Sequence, residues 1–188
     1  MNSTPASLLQ RVRQPGDQAA WGRFVELYFG LLLGWSRGLG LQEADAADLV
    51  QDVFTTLVRV LPTFNLDEHG SFRAWLRTVL LNRWRDWVRR RALQPKQAEE
   101  TALTALPDRA DDALLEEDAY RRHLVGRALE LLRDEFRPTT WQAFWEHGVR
   151  GRPAAAVAAE LGLSVGAVYA ARFRVLTRVR EELAEMLD

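Results

Sequence analysis

The sequence predicts an all-α protein, with two small helical domains joined by a flexible acidic linker. Apolar residues recur every three to four positions along most of the 188-residue chain, and convincing alternating strand patterns are missing. Between about residues 92 and 118 the composition shifts to prolines and acids, which is typical of a tether. We therefore expect an N-terminal leader over 1–16, a first domain over 17–91, the linker over 92–118 and a second domain over 119–188.

The first domain is predicted to contain three helices. Asp17 can cap the first, which ends near Gly38. Its apolar residues recur at helical spacing: Trp21, Phe24, Tyr28, Leu31, Leu32 and Trp35. The second helix should cover residues 42–61, because Pro62 follows it and ends it. The third helix should cover residues 71–91, which contain no glycine or proline.

The third helix concentrates positive charge, although the whole chain has a net charge of −1. It holds seven arginines, three tryptophans and one acid, Asp86. One side carries an ordinary core stripe: Phe72, Trp75, Leu76, Val79 and Leu80. The opposite side mixes cations with apolar groups and is expected to be exposed: Arg73, Arg77, Leu81, Trp84, Arg85 and Val88. Arginines neutralise phosphates and tryptophan offers bases a stacking surface, so the pattern favours single-stranded nucleic acid over two alternatives, a solvated face or a membrane-surface helix.

The second domain is predicted to end in a helix-turn-helix over residues 153–178. Pro153 suits a first helical position, Gly162 can adopt the left-handed conformation that ends a helix, and Ser164 can cap the next one. In that next helix four residues should point inward: Val168, Ala171, Val175 and Val179. Six should point outward: Ala167, Tyr169, Ala170, Phe173, Arg174 and Arg178. Such a motif presents its second helix to a DNA major groove, although a plain helical hairpin fits the same pattern.

The sequence lacks the residues that several functional classes require. Cysteine is absent, and the three histidines, His69, His123 and His147, are too scattered for a metal site. There is no glycine-rich phosphate loop, nucleophile elbow or paired histidine and acid, so we expect neither an enzyme nor a cofactor. With no secretion signal and no run of roughly 18 apolar residues, the protein is expected to be soluble and cytoplasmic.

Taken together, the motifs resemble those of the extracytoplasmic-function (ECF) sigma factors of bacterial RNA polymerase. The resemblance covers roughly residues 17 to 185. DLVQDVF (Asp48–Phe54) and FRAWL (Phe72–Leu76), followed by Asn82, Asp86 and the Arg89–Arg91 run, are similar to conserved region 2. VAAELGLSVGAV (Val157–Val168) is similar to the helix-turn-helix of region 4.

The resemblance implies roles for three groups of residues. The first would bind the clamp helices of the largest subunit of core RNA polymerase: Asp45, Asp48, Gln51 and Asp52. The second would bind the separated strand of the promoter −10 element: Arg73, Arg77, Asn82, Trp84, Arg85 and Arg89. The third would bind the −35 element as duplex DNA: Ser164, Ala167, Tyr169, Ala170, Arg174 and Arg178. Trp75, on the core side, is interpreted as structural.

The resemblance also implies that the linker threads polymerase channels, where the acids between Glu99 and Asp118 would imitate a phosphate chain; a plain disordered tether would have a similar composition. It further implies promoter DNA as a partner and an anti-sigma protein that holds the factor inactive.

The recognition helix departs from the family pattern. The family usually has a threonine after the glycine and polar or basic residues beyond it, where this chain has Ala167, Tyr169, Ala170 and Ala171. An acid common in the preceding helix is replaced by Ala156. We therefore expect weak DNA recognition by this domain, through phosphate contacts, groove shape and Tyr169, with a shift toward a protein partner as the other interpretation.

Two other functions stay open at this point. One is a self-sufficient helix-turn-helix repressor, which would bind a duplex operator as a symmetric dimer. The other is a helical protein-interaction adaptor that has lost DNA binding.

Overall fold

A computed structural model describes residues 7–14, 16–66, 70–92 and 117–187, and this part of the chain is helical with no strand, as predicted. The α-helices are α1 (Leu8–Val12), α2 (Gln18–Gly38), α3 (Glu43–Val60), α4 (Phe72–Ala92), α5 (Glu117–Leu132), α6 (Pro138–Phe144), α7 (Ala154–Leu161) and α8 (Val165–Leu183). Short 3₁₀ turns follow α3 and α5, and a π-helical turn, Trp145–Val149, follows α6. The linker prediction lies almost wholly outside the described residues.

The start of α2 follows the predicted cap. The Asp17 carboxylate accepts a hydrogen bond from the backbone N–H of Ala20 at 2.9 Å, and Arg11 pairs with the same carboxylate. The N–H of Ala20 holds the pKa of Asp17 below its ordinary value, Arg11 adds to this, and the opposing effect of burial is outweighed. At the other end, Gly40 has a φ of +86°, which lets the chain turn sharply into α3.

The first domain, formed by α2, α3 and α4, is built around aromatic side chains. Phe24 lies 4.7 Å from Tyr28 between ring centroids, and both contact Phe72 edge-on. Phe64, which follows α3, packs against Phe72 and Trp75 at 5.4 and 4.6 Å. These contacts fit the interpretation of Trp75 as a structural residue, and they bury one stripe of α4 against α2.

Residues 8–12 correct the prediction of an N-terminal leader. They form α1, whose Leu8, Leu9 and Val12 are at most 1% exposed and belong to the main core. Ser7 caps this helix through the N–H of Gln10, and the helix packs against α2 and α8. A five-residue helix is too short to show a periodic pattern, so its burial depends on elements that lie far along the chain.

The second domain contains the predicted helix-turn-helix. Gly162 has a φ of +64° at the end of α7, and the Ser164 hydroxyl accepts from the N–H of Ala167 at 3.1 Å at the start of α8. The two helices are bent by 103° relative to each other. A small cluster packs between them and α6: Ala143, Ala154, Val157, Ala158, Val168 and Ala171. The small side chains let α7 and α8 cross closely.

No single helix in the described part of the chain is long and apolar enough to cross a membrane. The bent pair α7 and α8 has such a length and composition only when the two helices are taken together.

The two predicted domains pack against each other and share one core. The Tyr120 hydroxyl of α5 lies 3.1 Å from the Tyr28 hydroxyl of α2 and donates to the Met186 carbonyl at 2.8 Å. The Trp35 ring stacks on Tyr120 at 6.2 Å, and His123 lies 3.1 Å from the Leu27 carbonyl. Burial raises the pKa of the Tyr28 hydroxyl well above its ordinary value, so the hydroxyl stays protonated in this contact.

The burial of α1 leads to a stability prediction. We expect Leu9→Ala to lower the free energy of unfolding by about 2–5 kcal/mol, because it leaves a cavity in the main core. Gln14→Ala, at an exposed position just after the helix, should change it by no more than about 0.5 kcal/mol. Urea unfolding followed by circular dichroism measures both, and equal midpoints for the two variants would contradict the placement of α1 in the core.

Candidate protein and nucleic-acid interfaces

The acids on α3 that were expected to bind polymerase are not equally available. Asp48 and Gln51 are exposed. Asp45 pairs with Arg91 at 2.7 Å and Asp52 pairs with Arg90 at 3.1 Å, so the end of α4 neutralises two of the three carboxylates. The sequence presents these as separate acidic and basic surfaces, and the fold places them side by side. Asp48 and Gln51 remain as the open part of this face.

An apolar groove lies beside Asp48 and Gln51, between α2 and α3. It has a volume of about 490 Å³, and its apolar lining includes Trp21, Val25, Phe29, Phe54 and Val58. Two of these residues, Phe29 and Val58, are 43% and 55% exposed. Exposed apolar surface with an acidic rim is typical of a protein-binding site. Phe29 and Val58 were not among the predicted site residues, because their only signal in the sequence is an apolar residue on the outward side of an amphipathic helix.

The DNA-binding surface expected on α4 is reduced to the outward side of its C-terminal half. Asn82, Arg85 and Arg89 are exposed, and the Arg85 guanidinium donates to the Asn82 side-chain oxygen at 3.3 Å. Arg89 pairs with Asp86 one turn away. Arg73 and Arg77 are half-buried, and the Arg73 guanidinium lies 5.5 Å from the centre of the Tyr120 ring. The surface therefore offers an amide and two exposed guanidinium groups close together.

Trp84 is a correction to the predicted site. Its side chain is only 3% exposed and belongs to the main core, as does Leu81. It is therefore not placed to stack on a base. The reason is that α4 is covered on two sides, so the stripe formed by Leu81, Trp84 and Val88 packs inward as well. These residues recur at i, i+3 and i+7, a spacing that itself indicates burial and could have been used.

The outward side of α8 presents most of the residues predicted there. Tyr169 is 54% exposed, Ala170 and Arg174 are exposed, and Ala167 is half-buried. Ser164 serves as the helix cap. The Tyr169 ring meets His147 edge-on at 5.2 Å, and His147 is itself held 2.9 Å from the Arg152 carbonyl. The ring of Tyr169 is thus positioned from the π-helical turn of the same domain.

Arg178 is a second correction. It was expected to face DNA, and it instead pairs with Glu135 at 2.9 Å and with Glu182 at 2.8 Å. Arg23 of the first domain pairs with the same two glutamates. Burial would raise the pKa of Glu135, but the hydrogen bonds from Arg23 and Arg178 outweigh it and hold the pKa below its ordinary value. The sequence could not show this network, because its members come from three distant segments.

Comparisons with known proteins agree on one family. The family model for Sigma-70 region 2 matches residues 24–94. The RNA polymerase sigma-E factor of Streptomyces avermitilis is 32% identical over 89% of this chain and 87% of its own length. The protein of the same name from Streptomyces coelicolor is 31% identical over 89% of this chain and 88% of its own length. Among solved structures, CnrH in complex with the cytosolic domain of CnrY is 26% identical over 92% of both chains, with a TM-score of 0.38.

The burial of Trp84 leads to a prediction that separates folding from binding. We expect Trp84→Ala to lower the free energy of unfolding by about 3–5 kcal/mol, since a large core side chain is removed. Arg85→Ala, one position along on the exposed surface, should stay within about 0.5 kcal/mol of the unchanged protein. Denaturant titration followed by tryptophan fluorescence and circular dichroism tests both. A Trp84→Ala protein as stable as Arg85→Ala would show that Trp84 is not a core residue.

Proposed function

The chain belongs to the ECF sigma factors of bacterial RNA polymerase, and we propose that it binds core polymerase, directs it to a set of promoters and helps to open the DNA there. The observation that carries this is similarity to sigma-E factors over 89% of the chain, which includes both helical domains. A factor of this kind makes no bonds itself, because polymerase does the chemistry. The protein would act in the cytoplasm, where polymerase binds the promoter.

We assign polymerase binding to the open part of the α3 face and the groove beside it. Asp48 and Gln51 supply an acid and an amide at the rim, while Phe29 and Val58 supply exposed apolar area. Asp45 and Asp52 could join only by releasing Arg91 and Arg90. Ion pairs near the protein surface contribute about 0–1 kcal/mol, and both of these pairs are partly exposed, so a basic partner surface can replace them at little cost.

We assign the −10 element to Asn82, Arg85 and Arg89 near the end of α4, and to the half-buried Arg73 and Arg77 near its start. An amide can hydrogen-bond an unpaired base, and guanidinium groups can neutralise phosphates and stack on bases. A surface that binds the separated strand better than the duplex shifts the equilibrium toward the open promoter. In this arrangement Trp84 supports the helix from inside.

We assign the −35 element to the outward side of α8, where Tyr169, Ala170 and Arg174 are exposed. Ser164 and Ala167 lie at the start of the helix, and Ser164 already caps it. Arg178 could contribute only after it leaves Glu135 and Glu182. We also propose an anti-sigma protein as a partner, as membership of the family implies. A free-standing repressor or an adaptor is not favoured, because the similarity to sigma factors extends through both domains.

The assignment of α3 can be tested by one charge reversal. We expect Asp48→Arg to weaken binding to bacterial core RNA polymerase at least tenfold, which corresponds to about 1.4 kcal/mol, by placing a cation where the partner is expected to be basic. Asp134→Arg makes the same charge change at an exposed position in the turn after α5 and should leave the affinity unchanged. Fluorescence anisotropy of the labelled full chain, with a housekeeping sigma factor as competitor, gives both affinities.

The same titration can contradict the proposal in two ways. If the unchanged protein, folded and free of inhibitor, does not bind core polymerase, the function itself is wrong. If it binds and Asp48→Arg binds equally well, the function stands and α3 is not the docking face.

A further inference from the structure

The outward side of α8 is unusually apolar for a helix that faces a major groove. Phe173 is 68% exposed, Tyr169 is 54% exposed and Val165 is 43% exposed. Helical spacing places Phe173 and Ala170 opposite the buried residues Val168 and Val175. Phe173 therefore lies near the middle of the face that the helix-turn-helix presents, with Tyr169 to one side.

Hydrogen-bonding groups on this face are few. Side chains that read bases through hydrogen bonds are mostly arginine, lysine, asparagine, glutamine and acids. Here Tyr169, Arg172 and Arg174 are the exposed polar side chains beside Phe173, and Tyr169 is held at its ring by His147. Most of the sequence information must therefore come from apolar contact.

The major groove offers one apolar group on its base edges, the 5-methyl group of thymine. We propose that α8 selects −35 duplexes by their thymine methyl groups, with Phe173 and Ala170 in contact with the methyls and Arg174 on a phosphate. This inference rests on the proposed function and adds the chemical feature of the DNA that is read.

Charge favours DNA over an apolar protein partner on this face. Arg172 and Arg174 flank Phe173, both are exposed, and neither forms an ion pair within the described part of the chain. Two available cations beside an apolar centre match a groove with methyl groups at its floor and phosphates at its edges. An apolar protein surface would leave these cations without partners.

The test removes the methyl group without changing base pairing. Holoenzyme assembled from core polymerase and the full chain first enriches duplexes from a library randomised upstream of the opened region. The enriched duplex is then made with thymidine or with deoxyuridine in the upstream element. We expect affinity to fall about fourfold for each contacted methyl removed, as follows from the usual value of a buried methylene-sized group.

Two variants identify the side chains that carry the effect. Phe173→Ala should bind the thymidine duplex more weakly and should no longer distinguish it from the deoxyuridine duplex. Arg174→Ala should weaken binding to both duplexes by the same factor. Both residues are exposed, so circular dichroism should show unchanged folding.

Three outcomes would overturn the inference. Equal affinity of the unchanged protein for the two duplexes would exclude methyl readout, and so would enrichment of no upstream motif by a holoenzyme that still opens promoters; in both cases the proposed function survives. Loss of holoenzyme assembly in Phe173→Ala would show that the face binds protein. Failure of the unchanged chain to bind polymerase would instead refute the function.

Discussion

The buried contact between Tyr28 and Tyr120 is the interaction on which the rest of the arrangement depends. It joins α2 to α5, and the Tyr120 hydroxyl also donates to the Met186 carbonyl beyond α8. A polar group buried in an apolar core has to find a partner, so each hydroxyl specifies where the other must lie. Once α5 is held on α2 in this way, the turn after α5 brings Glu135 next to Arg23 and Arg178. The position of the recognition helix thus follows from a contact between two residues that lie far before it in the sequence.

That arrangement decides which surfaces stay open. The C-terminal half of α8 packs into the main core through Val175, Val179 and Leu183, while one side of its N-terminal half stays exposed. In the C-terminal half of α4, packing on two sides leaves Asn82, Arg85, Arg89 and Arg90 exposed. The exposed apolar residues of α2 and α3 lie on neither of these faces and form a groove of their own. The three proposed interfaces are therefore the helix faces that stay exposed because no other helix packs on them.

The charged groups act at the borders of these interfaces. Asp45 and Asp52 tie α3 to the arginines that end α4, so the faces assigned to polymerase and to the −10 strand meet at the same ion pairs. These pairs are partly exposed, and such pairs add little to stability. They are suited to exchange partners, because a basic protein surface or a phosphate can take over one member at low cost. The network around Glu182 is different, since that carboxylate is buried and needs its arginines in place.

The sequence by itself determined the local structure: the cap at Asp17, the extents of α2, α3 and α4, and the helix-turn-helix with Gly162 and Ser164. These features depend on neighbouring residues, through helical periodicity, capping and the φ angle of glycine. Among the candidate site residues, the exposure of Asp48, Arg85, Tyr169 and Arg174 follows from their helix faces alone. Only the tertiary structure decided that α1 is part of the core, that Trp84 is buried, and that Arg178 is paired. Each of these outcomes depends on which distant helix covers a given face, and a pattern read along one helix carries no information about the element that packs against it.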